Sequence, residues 1–207
     1  MIRYKYIENI VLNIYKQLPH ISFPLQLKDI IALMPNCRYL SYADFAAINN
    51  CSTDKVIEIC ESVSGCSQYD VHNNRYLIIC NEDTNIFGNT IPRQKWTCAH
   101  EIGHILCNHF AISTLQLMSE NSFMQQSNRE LEQEADFFAS TLLAPFPLFE
   151  TLNIESPTDI RIHFGLSKKA AENQYNSYIR WKTYKMNPAW INDIRNLYIS
   201  SHRCPAQ

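Results

Sequence analysis

Three histidines, one glutamate and two cysteines lie within a mostly apolar stretch, WTCAHEIGHILCNHF, from Trp96 to Phe110. The apolar residues Ile102, Ile105 and Leu106 can pack one side of a helix against a core. Core helices rarely carry so many polar side chains, because buried polar groups need partners. The fold must therefore bring hydrogen-bond partners to these side chains or use them to bind a metal.

The segment HEIGH places His100 and His104 four residues apart, on one face of a helix. Two imidazoles in this arrangement can bind one metal ion. Glu101 lies about 100° round the helix, so we do not expect it to bind the ion directly. Zinc lowers the pKa of a bound water to about 7, so Glu101 is predicted to be the general base that takes its proton.

A catalytic zinc site needs a third protein ligand and leaves a fourth position for water. The helical segment NRELEQEADFFASTLLAP offers four carboxylates, those of Glu130, Glu132, Glu134 and Asp136. Glu132 and Asp136 share a face, so one can bind the metal while the other accepts the free N–H of a ligating histidine. Glu134 points about 200° from Glu132. We interpret Glu134 as a solvated surface residue, and it is the alternative third ligand.

The remaining histidine and the cysteines of the stretch are predicted to lie outside the site. His109 is five residues past His104, a rotation of about 140° from the ligand face, so we interpret it as a helix-end histidine. Cys98 and Cys107 fall on other faces and are predicted to be core thiols. The eight cysteines contain no CxxC pair, which favours reduced thiols over a zinc ribbon. Cys204 is predicted to be an exposed thiol.

Two segments, KWTCAHEIGHILCNH and ELEQEADFFASTLLAP, resemble the ImmA/IrrE family of zinc metallopeptidases, which are gluzincin-like. The positions that match the family pattern around and after the HExxH motif are Trp96, Thr97, Ala99, Glu132, Ala135, Asp136, Phe138, Ala139, Leu142, Leu143 and Pro145. The resemblance extends from Tyr76 to about Tyr178.

This resemblance implies a set of site residues and a substrate. His100, His104 and Glu132 would bind one catalytic zinc, which suits two histidines and one carboxylate. Asp136 would orient a ligating histidine, and Glu101 would be the general base. Members of the family often cleave a helix-turn-helix repressor, which releases genes of mobile elements, toxin–antitoxin pairs or stress responses. We therefore expect a zinc endopeptidase with such a protein substrate.

The alternative function is a regulator that binds the repressor without cutting it. Its metal site would then be structural or vestigial. Glu101 argues against this alternative, because a structural site needs no base and closes its fourth position with Cys or His.

The hydrophobic pattern predicts an α+β fold in a single domain over residues 1–207. Residues 1–90 are predicted to form a small sheet with helices. Residues 91–145 are predicted to contain the two helices of the site, the first of them a long helix to about Phe110. Residues 146–207 are predicted to form a C-terminal helical bundle.

Three local predictions concern strands and loops. CRYLSYADF is rich in aromatic residues and is typical of a strand. His72, Asn73 and Asn74 separate two β-type runs and predict a hairpin. The polar segment 111–128 is predicted to be a loop.

Composition and charge exclude several classes of function. The formal net charge of -2 argues against nucleic acid as a direct partner. Four glycines are too few and too scattered for a phosphate or dinucleotide loop, so no organic cofactor is expected. The N-terminal run MIRYKYIENIVLNIYKQL has helical spacing and no signal-peptide pattern. No segment suits a membrane span, so we expect a soluble cytoplasmic protein without a membrane partner.

Overall fold

The computed structural model describes residues 1–112, 117–119, 126–184 and 188–203. Its strands are β1 Cys37–Ser41, β2 Gly65–Asp70, β3 Arg75–Cys80 and β4 Leu117–Ser119. Its helices are α1 Tyr4–Gln17, α2 Leu27–Ala32, α3 Tyr42–Asn49, α4 Thr53–Cys60, α5 Ile91–Leu106, α6 His109–Ile112, α7 Gln126–Leu143, α8 Pro157–Phe164, α9 Lys168–Tyr184 and α10 Pro188–Arg203. Cys204 lies outside the described residues, so the prediction about its thiol stays a prediction.

The strands form a mixed sheet in the order β1-β3-β2-β4 within the described residues. Strand β1 runs parallel to β3, whereas β2 runs antiparallel to both β3 and β4. Strands β2 and β3 form the hairpin predicted from the sequence, and Asn74 in its turn has a φ of 49°. Asparagine tolerates this left-handed conformation better than most residues do. The α+β fold with a small sheet followed by helices is therefore confirmed.

Two of the local predictions were wrong in part. In CRYLSYADF the strand ends at Ser41, because this residue starts helix α3 with a capping box. The Ser41 side chain accepts the Asp44 N–H while the Asp44 carboxylate accepts the Ser41 N–H, an arrangement that fixes a helix start. In the predicted loop 111–128, residues 117–119 form β4, which pairs with residues 66–68 of β2. Residues 111–112 of the predicted loop belong to α6 and residues 126–128 to α7, whereas residues 113–116 and 120–125 lie outside the described part.

The helix that contains the histidines is shorter than the sequence predicted. Pro92 lies in its first turn, as expected for proline. Helix α5 ends at Leu106, however, and Asn108 has a left-handed φ of 61°. A separate helix, α6, then begins at His109. The prediction of one continuous helix to Phe110 was therefore wrong, because Asn108 terminates it.

Gly103 allows α5 and α7 to approach each other closely. A Cβ atom at this position would lie 2.9 Å from Cδ1 of Phe138 and 3.2 Å from Cα of Ala135. Both of these residues are fully buried, so neither can easily move aside. The close packing brings α7, which carries Glu132, against the face of α5 that carries the histidines.

We expect Gly103→Ala to destabilise the protein by up to about 2 kcal/mol. Overpacking costs about 1–3 kcal/mol, whereas alanine gains about 1 kcal/mol over glycine in a helix. Chemical denaturation measures the difference in the free energy of unfolding. The double variant Gly103→Ala/Phe138→Leu should lose less free energy of unfolding than the two single variants together, since the smaller leucine relieves the contact with the alanine. Without the close packing, Gly103→Ala would be more stable than the unchanged protein by about 1 kcal/mol, and that result would contradict it.

The main hydrophobic core joins the N-terminal helix, the two site helices and the C-terminal helices. Ile7 of α1, Ile102 of α5, Phe138 of α7, Phe164 of α8 and Ile194 of α10 are all buried in it. The C-terminal helices therefore share one hydrophobic core with the site helices. In the described part of the chain, each helix is too short or too polar to cross a membrane.

Candidate metal centre

Three buried side chains that are common metal ligands meet between α5 and α7. The Nε2 atoms of His100 and His104 lie 3.0 Å apart. Glu132 has one carboxylate oxygen 3.0 Å from Nε2 of His100 and the other 3.4 Å from Nε2 of His104. One ligand atom from each of the three residues lies within 4.8 Å of the others.

The charges of this group suit a cation. Burial alone would raise the pKa of Glu132, but hydrogen bonds with both histidines lower it overall to about 2. Burial alone would lower the pKa of His100, but hydrogen bonds to Asp136 and Glu132 raise it overall to about 10. The group thus stabilises positive charge between an ionised carboxylate and two imidazoles. Two nitrogens and a carboxylate oxygen are also a donor set that zinc accepts, so the residues fit a divalent metal.

Asp136 lies one turn after Glu132 on α7 and contacts the other nitrogen of His100. Its Oδ1 is 3.1 Å from Nδ1 of His100, and 59% of its side chain is exposed. A carboxylate at this position accepts the Nδ1–H, so Nε2, which faces Glu132 and His104, is the nitrogen that would bind a metal. The structure therefore places Asp136 next to His100.

Glu101 is completely buried beside the two histidines. Ser67 on β2 donates a hydrogen bond of 2.7 Å from its Oγ to Oε2 of Glu101. The other oxygen, Oε1, has no hydrogen-bond partner among the described residues. Burial raises the pKa of Glu101, and the neighbouring histidines lower it in part. One oxygen of this carboxylate is thus held, while the other is free to accept a proton.

The structure contradicts two expectations, that Glu134 is a solvated surface residue and that His109 points away from the ligand face. Glu134 is 3% exposed and forms an ion pair with Arg3, so it is not a solvated surface residue. His109 is fully buried, with its Nδ1 atom 2.9 Å from Nδ1 of His104. Burial and the neighbouring His104 lower the pKa of His109 to about 4, so its ring is neutral near pH 7. Neither residue belongs to the group of possible metal ligands, which consists of His100, His104 and Glu132.

The sequence contained a signal for His109 but none for its remote partners. The expected rotation of 140° assumed a continuous helix, whereas Asn108 is a common residue type just after a helix end. Arg3 and Ser67 carried no such signal, because they lie 131 and 34 residues from Glu134 and Glu101 respectively. Only the tertiary fold brings these pairs together.

The described cysteines take no part in the group. Cys98 and Cys107 are buried, as predicted for core thiols. No disulfide links any of the cysteines in the described ranges.

Comparison with protein families identifies the matched part of the chain. The family model Peptidase_M78, described as the IrrE N-terminal-like domain, matches residues 69–176, slightly more than half of the sequence. The chain belongs to this family. The Peptidase_M78 match confirms the resemblance seen from Tyr76 to about Tyr178 and includes both helices of the candidate metal centre. The protein is therefore a member of a metallopeptidase family, for which a protein is the substrate class. No curated protein matches the chain.

Proposed function

We propose that the protein is a zinc-dependent endopeptidase. His100, His104 and Glu132 would bind one zinc ion, and Glu101 would act as the general base. The observation that carries this proposal is the buried group itself, in which three ligand atoms lie within 4.8 Å beside a glutamate with an unpartnered oxygen.

The number of donors supports a catalytic site over a structural one. Among the described residues the group has three donors, whereas a structural zinc site normally has four, with Cys or His closing the last position. A bound zinc ion would lower the pKa of a water molecule to about 7 and polarise the scissile carbonyl. This chemistry requires a nearby base, which a structural site would not need.

Glu101, Ser67 and Asp136 have distinct roles in the proposed reaction. Glu101 would take the proton of the attacking water on Oε1, while Ser67 holds Oε2 through its 2.7 Å hydrogen bond. Glu101 would then deliver this proton to the leaving amine. A pKa raised by burial suits both steps, because a general base works best with a pKa near the working pH. Asp136 would keep the His100 ring in orientation.

For the substrate, we propose a helix-turn-helix transcriptional repressor. Membership of a peptidase family supports a protein substrate. The resemblance to ImmA/IrrE proteins supports this class of substrate. Cleavage would derepress genes of a mobile element, a toxin–antitoxin pair or a stress response.

The proposal is tested by incubating the zinc-loaded protein with repressors encoded near its gene and identifying fragments by mass spectrometry. We expect cleavage at one or a few bonds. Treatment with 1,10-phenanthroline should abolish cleavage and added zinc should restore it, since the ligands would lose and regain the metal. The isomer 1,7-phenanthroline, which cannot chelate, is the matched control. Cleavage that survives removal of the metal would contradict a zinc enzyme.

A further inference from the structure

A chain of buried hydrogen bonds leads from His104 to the first helix of the protein. Nδ1 of His104 lies 2.9 Å from Nδ1 of His109, and Nε2 of His109 lies 3.1 Å from Oε2 of Glu134. Arg3 donates from Nε to both oxygens of Glu134, at 3.0 Å each, and from its backbone N–H to Oε1 at 2.8 Å. The chain therefore joins α5, α6, α7 and the residue just before α1.

The direction of each hydrogen bond follows from the last member of the chain. The Glu134 carboxylate is paired with a guanidinium and can only accept, so Nε2 of His109 must donate to it. The Nδ1 atoms of His104 and His109, 2.9 Å apart, form a hydrogen bond only if they share one proton. In the neutral form that imidazole ordinarily takes near pH 7, His109 has its one proton on Nε2, so its Nδ1 can only accept. Nδ1 of His104 must then carry a proton. The remaining nitrogen of His104, Nε2, is left with its lone pair directed at His100 and Glu132.

We propose that His109, Glu134 and Arg3 are positioning residues, which hold His104 in the one tautomer that can bind the metal through Nε2. This inference rests on the proposed function, since it takes His104 to be a zinc ligand. The opposite tautomer would place a proton on Nε2 and block the bond to the metal.

Arg3 also fixes the turn that presents His109. Its Nη2 atom donates a hydrogen bond of 2.9 Å to the carbonyl oxygen of Cys107, the residue after the end of α5. Asn108, with its left-handed φ of 61°, follows directly. One arginine thus holds both the carboxylate that receives the His109 proton and the backbone that carries His109.

The two ligating histidines differ in how they are held. His100 is held by Asp136, whose side chain is largely exposed. The partners of His104 are buried almost completely up to Arg3, of whose side chain 34% is exposed. Water can replace an exposed partner more easily than a buried one. We therefore expect the zinc affinity to depend on the His109 chain.

Zinc affinity, measured by competition with a chromophoric chelator, tests the inference. Loss of a group that orients a ligating histidine typically weakens metal binding about 10–100-fold, and we expect this rise in Kd for His109→Leu. His109→Asn should lose less zinc affinity, because Oδ1 of the asparagine can accept the hydrogen bond from Nδ1–H of His104 in place of Nδ1 of His109. His72→Asn, at an exposed histidine, should leave Kd unchanged. An unchanged Kd in folded His109→Leu would overturn the inference.

A second measurement needs no variant and covers the case in which His109→Leu does not fold. Nitrogen-15 NMR of the zinc-loaded protein reports which ring nitrogen of each histidine carries a proton. We expect the proton of His104 on Nδ1 and that of His109 on Nε2. A proton on Nδ1 of His109, or none on Nδ1 of His104, would overturn the inference.

The outcomes separate this inference from the proposed function. A chelator-sensitive peptidase whose zinc Kd is indifferent to His109 would leave the function standing and remove the positioning role. A protein that cleaves no substrate would remove the proposed function. If it also binds zinc more weakly in His109→Leu and shows the expected tautomers, the positioning role would stand.

Discussion

Glu101→Gln is expected to lower kcat/KM for peptide cleavage by about 10²–10⁴-fold, the usual contribution of a general base. Glutamine has nearly the same shape, and its carbonyl oxygen can still accept the hydrogen bond from Ser67. It cannot, however, take a proton from the attacking water. The loss should therefore appear in the chemical step, while the zinc Kd and the free energy of unfolding change little.

The matched control for this variant is Glu130→Gln, which makes the same change at an exposed position on α7. We expect it to cleave at the rate of the unchanged protein. Steady-state kinetics on one cleavable peptide, with the zinc content of each variant measured in parallel, gives the comparison. Cleavage by fully zinc-loaded Glu101→Gln at the unchanged rate would remove Glu101 from the role of base.

Glu132→Gln is expected to raise the zinc Kd by more than about 100-fold, because losing a ligand should exceed the 10–100-fold cost of losing a group behind one. The carboxylate is ionised and contacts both histidines, so it supplies the negative charge of the group. A neutral amide supplies none. Peptidase activity at micromolar zinc should fall together with the occupancy of the site.

Glu134→Gln discriminates between the two candidates for the third ligand. Glu134 contacts Arg3 and His109 but neither ligating histidine, so its change should raise Kd less than the change at Glu132 does. Glu130→Gln again serves as the control on the same helix. A larger effect at position 134 than at position 132 would identify Glu134 as the ligand and contradict the arrangement described above.

Periodicity in the sequence was sufficient to predict the two helices of the site and their contents. His100 and His104 lie one turn apart on a helix that is amphipathic by sequence, and this relation depends on local geometry alone. Glu132 and Asp136 share a face of the next helix for the same reason. Which of these two would meet the histidines could not be decided from geometry, and the family resemblance supplied that choice.

The parts that the sequence did not predict depend on contacts between distant residues. Ser67 and Arg3 become relevant only when β2 packs against α5 and the start of α1 against α7. Strand β4 forms because residues 117–119 pair with β2, although their neighbours are polar. His109 differs from these cases, because a local signal at Asn108 was present and the assumption of a continuous helix concealed it.

The most direct test of the central claim is anomalous diffraction at the zinc absorption edge from crystals of the zinc-loaded protein. We expect one anomalous peak, about 2.0–2.2 Å from Nε2 of His100, Nε2 of His104 and a carboxylate oxygen of Glu132. A peak elsewhere, or no peak between these three side chains in zinc-saturated crystals, would contradict it.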